Sequence, residues 1–143
     1  MLLALLAWAS IGSGGAPGGF GVNTEFGQAE VAADSPREFS LELLDGSSID
    51  LSSLRGKVVM LDFWSSWCPP CRREAPALAQ VYREYDGRPV EFIGIAIWDE
   101  DASVQSHVSE YQVPYPNGID GDGRIAIDYG VTGIPEKLSL IHI

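Results

Sequence analysis

Cys68 and Cys71 are the only cysteines in the 143-residue chain, and they stand three positions apart. On the first turn of a helix, positions i and i+3 lie close enough for two thiols to close a small disulfide ring. A cysteine at a helix N-terminus meets backbone N–H groups and the positive end of the helix dipole, which favour its thiolate. The thiolate is the species that attacks another disulfide. Cys68 is therefore the candidate nucleophile. Cys71, one turn inside and expected to be the more buried, is the candidate resolving thiol. Pro69 suits the first helical position, where a missing N–H costs nothing. An inert structural bridge is the weaker reading, because so short a loop removes little entropy from the unfolded chain.

A bare C-x-x-C pair also serves as half of a metal site. A closed zinc site takes about four ligands. Here the further candidates are His107 and His142, and His142 falls in a tail discounted below. No metal site is expected. A soft-ligand carrier of copper through the two thiols stays open as a second function, although no Met or His cluster accompanies them.

The pair needs a strand before it and a helix after it. The run 57–64 is apolar apart from Asp62, as suits a central strand covered on both faces. A helix is expected over 69–85, with Ala75, Leu78, Ala79 and Tyr82 facing the sheet and Pro76 kinking it. Upstream, strands over 39–44 and 48–51 flank the turn signal Asp45-Gly46 and make a hairpin. Downstream, a buried strand over 90–98, a helix over 102–111, an extended piece over 115–119 and a short helix over 124–129 follow. Gly133-Ile134-Pro135 opens the next strand. This alternation is an α/β pattern with parallel β-α-β connections. Trp67 is expected to line a substrate surface, whereas Trp64, Trp98, Phe63 and Phe92 read as core. His107 reads as a surface residue without a role.

These residues together carry a resemblance. Trp67-Cys68-Pro69-Pro70-Cys71, followed by Arg72-Arg73-Glu74-Ala75-Pro76, resembles the thioredoxin superfamily, in particular its membrane-anchored TlpA/ResA-like and cytochrome c maturation reductases. Gly133-Ile134-Pro135-Glu136 resembles the cis-proline loop of that group, and the likeness covers about 35–136. It implies a thioredoxin-like three-layer α/β/α fold with an N-terminal β-hairpin. It implies that Asp62 is a buried acid accepting a proton from Cys71, since burial raises a carboxyl's pKa. Many anchored members carry Asn there, so this chain is thioredoxin-like at that position. Glu74 matches an acid near the active site, and Pro135 the cis-proline facing the cysteines. Trp67, Pro69, Pro70, Ile134 and Pro135 would form the substrate surface. No cofactor beyond the redox-active disulfide is implied. The implied partners are protein thiols and disulfides, apocytochrome c among them, with a membrane thiol transporter as electron donor.

The ends bear on location. Residues 1–11 are almost wholly apolar, 12–21 is rich in Gly, Ser, Ala and Pro, and 12–34 reads as a flexible linker. Eleven apolar residues fall short of the roughly 20 that span a bilayer. The favoured reading is a truncated membrane anchor. A signal peptide with Ala7-Trp8-Ala9 at its cleavage site is the alternative, and an N-terminal core helix the plainer one. Either of the first two places the domain, 35–137, outside the cytoplasm. Residues 138–143 read as the translated end of a transposase-type sequencing adapter, with a natural last strand as the alternative. On the adapter reading almost nothing follows Glu136, so the C-terminal strands and final helix would be missing and the chain would be a fragment of doubtful stability. The net charge of −11, from 20 acidic and 9 basic residues, and the absence of a basic run argue against nucleic-acid binding.

Overall fold

A computed structural model describes residues 36–140. The segments expected at 1–11 and 12–34, and residues 141–143, lie outside the described residues. A hairpin opens the fold, with β1 (Ser40–Glu42) antiparallel to β2 (Ser48–Asp50). The Asp45 carboxylate accepts from the Ser47 N–H and hydroxyl at 2.9 and 2.6 Å, and Gly46 takes φ +82°. The return strand is shorter than expected. The Ser53 hydroxyl donates to the Asp50 carbonyl, and 51–54 coil into a 3₁₀ turn. Its three-residue period puts Leu51 and Leu54 on one face, and both are buried.

The main sheet has the order β5 (Asn117–Asp120), β4 (Val90–Ile97), β3 (Val58–Trp64), β6 (Glu136–Leu140). Strand β3 is central. It runs parallel to β4, which runs parallel to β5. Helix α1 (Pro69–Glu84) connects the first pair and α2 (Asp101–Glu110) the second. The parallel connections inferred from the strand–helix alternation are therefore present. Pro76 sits inside α1, which continues through it as one element.

Alternation along β3 sorts side chains between two layers. Val59, Leu61 and Phe63, all fully buried, face the hairpin and α3 (Arg124–Asp128). Tyr129 closes that layer, its ring 6.4 Å from Phe63 and 5.9 Å from Phe39. Asp62 and Trp64 face α1 and α2. Two glycines permit this packing. A Cβ on Gly118 would stand 2.2 Å from the Glu42 carbonyl, where the hairpin leans on β5. A Cβ on Gly94 would stand 1.8 Å from Asn117 Oδ1, which accepts from Trp64 Nε1 at 3.1 Å.

Three expectations change. Strand β6 (Glu136–Leu140) pairs antiparallel with β3, so one of the strands expected to be missing is present. Leu138, which the sequence reading gave to the tail, lies beside Leu61 and is 9% exposed. Alternating apolar residues with an open ladder edge available suffice to form that strand. His107 is buried on the inner face of α2, stacked between Trp64 and Tyr111 at ring distances of 4.3 and 4.6 Å. Trp98 leaves the core, because β4 ends at Ile97 and the next residue turns outward with φ +53°.

Candidate active site

The site forms where β3 hands over to α1. Cys68 is the N-cap of α1, with extended backbone angles (φ −83°, ψ 110°). Pro69 and Pro70 occupy the first two helical positions and bring no N–H groups. The first N–H that the helix can offer is that of Cys71, and it donates to Cys68 Sγ at 3.3 Å. A sulfur thus fills the acceptor place that a Ser or Asp oxygen takes in an ordinary cap. Cys68 and Cys71 form a disulfide with Cα atoms 5.3 Å apart. They are 2% and 3% exposed, so the closed ring does not show the expected asymmetry of burial. In a reduced pair, the same N–H and helix dipole would stabilise a Cys68 thiolate.

The turn before Cys68 is tied to the loop after β4. The Ser65 hydroxyl donates to the Ile97 carbonyl. The Ser66 N–H and hydroxyl both donate to the Asp99 carboxylate. Trp67 Nε1 donates to the Trp98 carbonyl at 2.9 Å. Trp67 itself is 56% exposed beside the disulfide. Pro69 is exposed and Pro70 half-buried. The Ile134–Pro135 peptide bond is cis, with Ile134 in the same buried cluster as the two cysteines.

Below the disulfide lies a small cavity of about 10 Å³, room for roughly one water, with a mixed polar and apolar lining. Cys71, Asp62, Glu74, His107 and Tyr115 line it. Asp62 is 3% exposed. Its Oδ2 accepts from the Tyr115 hydroxyl at 3.0 Å. Its Oδ1 lies 3.2 Å from Lys137 Nζ, close enough for an ion pair but not aligned as a hydrogen bond. Lys137 also pairs with Glu74. Burial pushes the Glu74 carboxyl above its usual range, and the Lys137 hydrogen bond and charge pull it part of the way back. Burial, then the Asp62 charge, holds the Tyr115 hydroxyl protonated, so it remains a donor. Burial, then the Arg72 charge, lowers the His107 pKa and favours its neutral ring.

The structure brings Cys68, Cys71, Asp62 and Glu74 into one neighbourhood. Sequence reasoning missed Lys137, Tyr115, Asp99 and His107. Lys137 is reached only through the β3–β6 register, which sets it opposite Asp62. Asp99 at the end of a buried strand was a readable signal, but its partner Ser66 was not. Among the described residues no cluster of three His, Cys, Asp or Glu side chains is arranged to hold a metal.

Known proteins carry similar sequences and folds. The thiol-disulfide oxidoreductase ResA of Bacillus thuringiensis subsp. konkukian is 34% identical over 115 residues, covering 80% of this chain and 66% of ResA. The soluble secreted antigen MPT53 of Mycobacterium bovis is 41% identical over 105 residues, covering 73% of this chain and 60% of the antigen. The crystal structure of a secreted Mycobacterium tuberculosis disulfide oxidoreductase, described as homologous to E. coli DsbE, superimposes with a TM-score of 0.62. It is 34% identical, over 72% of this chain and 84% of that one. The chain spans slightly less than two thirds of the length of these curated relatives. The fold is thioredoxin-like. Residues 32–141 match the AhpC/TSA family, and with a helix-capping disulfide on a thioredoxin-like sheet the chain belongs to that family.

Proposed function

We propose that this chain performs dithiol–disulfide exchange on protein substrates outside the cytoplasm, acting as a reductase through Cys68 and Cys71. The observation that carries the reading is the Cys71 N–H aimed at Cys68 Sγ on a helix N-cap. The Cys68 thiolate attacks one sulfur of a substrate disulfide. A mixed disulfide forms, and the other substrate sulfur leaves and takes up a proton. Cys71 then loses its proton to Asp62 and attacks Cys68 Sγ. The Cys68–Cys71 bond forms, the second substrate sulfur leaves as a thiol, and two electrons have passed to the substrate. Glu74 and Lys137 set the charge around Asp62. Trp67, Pro69, Pro70, Ile134 and Pro135 receive the substrate chain, whose extended backbone would pair beside the cis bond.

The names of the relatives support this reading, since two are described as oxidoreductases and two as secreted. Apocytochrome c is a substrate consistent with it. A membrane dithiol donor would return the pair to its reduced form. Residues 1–11 would anchor the domain to the membrane. Among the described residues, no helix is long and apolar enough to cross a bilayer.

The test is turnover of an oxidised protein substrate with redox titration of the pair. Cys68→Ser should abolish turnover, and Cys71→Ser should accumulate mixed disulfides. Full activity in both variants would refute exchange.

A further inference from the structure

Trp98 is the least expected residue on the surface. It follows a strand whose last six residues are buried, yet it is 59% exposed. Its φ of +53° lies in the left-handed region, which a bulky side chain rarely adopts and which costs free energy. Nothing in the fold needs an indole there. The loop's tie to Trp67 runs through the Trp98 carbonyl, which any residue would supply. The tie to Ser66 runs through Asp99. The strained, exposed ring sits on the loop hydrogen-bonded to Trp67, one residue before Cys68.

We propose that Trp98, with Trp67, forms a docking surface for a cationic, extended segment of the substrate polypeptide flanking its disulfide. The proposal rests on the exchange reading above and names the class of chain that the site prefers. Two features select this occupant. Trp67 directly precedes Cys68 and is hydrogen-bonded to the Trp98 carbonyl, so a chain covering both residues would pass beside the reacting cysteine. Its charge is complementary, because Glu100 and Asp101 follow two and three residues on from Trp98, both exposed and in no ion pair among the described residues. Lys and Arg combine methylenes that cover an indole with a charge that its face and the carboxylates attract. Of the two basic residues after Cys71, Arg72 is paired with Glu110 and Tyr111 on the α2 side, and Arg73 is exposed one position further along α1.

The test uses the full chain in its dithiol form. Three oxidised probes are reduced at low salt: a disulfide peptide flanked by lysines, the same peptide flanked by glutamates, and 2-hydroxyethyl disulfide. The lysine peptide should be favoured over the glutamate peptide in kcat/KM. Trp98→Gly should raise KM for the lysine peptide by roughly fivefold, the scale of an exposed cation–aromatic contact. It should leave kcat and the hydroxyethyl disulfide rate unchanged. Glycine accepts positive φ, so this variant should melt no lower than the parent. An unchanged KM with normal reduction of the small disulfide would overturn the docking surface and leave exchange standing. Failure to reduce any probe would remove both. A concentration-dependent dimer that Trp98→Gly abolishes would assign the surface to a second copy instead, and so also overturn the proposal.

Discussion

Lys137 stands directly opposite Asp62 in the β3–β6 ladder, and its ammonium lies 3.2 Å from Asp62 Oδ1 while pairing with Glu74. Two carboxylates thus share one cation beneath Cys71, leaving the trio a net charge of about −1 when all are ionised. Lys137→Met should leave the two acids facing each other without compensation. Removing one partner of a largely buried pair costs several kcal/mol, and the 23% exposure of Lys137 reduces this to about 2 kcal/mol. The loss should depend on pH. The Glu74 carboxyl already sits above its usual range, so the folded state holds a proton there that the unfolded chain releases first. Stability should fall as pH rises from the ordinary value of 4.5 through the raised one. Lys137→Met should deepen and extend that fall. Urea unfolding between pH 4 and 8 measures it, and an unchanged slope would show that the ammonium does not govern these acids.

Among the described residues, Tyr115 supplies the one aligned hydrogen bond to the Asp62 carboxylate, from its hydroxyl to Oδ2. Tyr115→Phe keeps the ring that packs 5.6 Å from Tyr82 and Phe92 but strips the carboxylate of that donor. Losing a hydrogen bond to a buried charged group costs about 1.5–3 kcal/mol. If Asp62 accepts the Cys71 proton, removing the hydroxyl that orients its carboxylate should slow the resolving step. Stopped-flow release of substrate from the mixed disulfide reads this directly. A rate profile identical to the parent would remove Asp62 from the proton path.

The strand–helix alternation and the placing of Cys68 at a helix start were legible because they rest on local signals. An apolar run, two prolines and a turn pair each act within a few residues. The cavity behind the disulfide was not legible, because its members come from four elements and the loop before β5. Lys137 follows a proline on an edge strand, and only pairing register carries it to Asp62. His107 looked exposed because the apolar face of α2 is weak. What buries it is the width of Trp64, a strand and a helix away. Trp98 looked buried because it ends an apolar run, and periodicity does not reveal the one residue at which a strand turns outward.

Gly94 tests the packing that holds Trp64 beneath the active-site turn. A Cβ there would meet Asn117 Oδ1 at 1.8 Å and Trp64 Nε1 at 3.0 Å, within the bond those two groups share. Gly94→Ala should destabilise by about 1–3 kcal/mol, as overpacking of a dense core does. Asn117→Ala alone should also destabilise, by leaving the buried indole N–H without its acceptor. In the double variant the alanine methyl enters space that the amide has left, so the combined loss should be smaller than the sum. A double-mutant cycle by urea denaturation gives the coupling. Strict additivity would mean that the clash is relieved elsewhere.

His107 gives the acid limb of stability its own signature. Burial lowers its pKa, the Arg72 charge adding to the effect while Glu110, Asp62 and Asp99 oppose it. Cys71, Glu74 and Tyr115 face it across the cavity, and Trp64 and Tyr111 cover its ring. The unfolded chain therefore binds a proton near the ordinary value of 6.5 while the folded chain still excludes it. On that balance, stability is fully present above 6.5 and is lost as pH falls through the window below it. His107→Phe keeps an aromatic ring between Trp64 and Tyr111 and cannot be protonated. It should flatten the stability profile below pH 6.5 and leave it nearly unchanged at pH 8, apart from a repacking difference of about 1 kcal/mol. Retention of the parent's slope in this window would assign the acid sensitivity to the carboxylates around Lys137 instead.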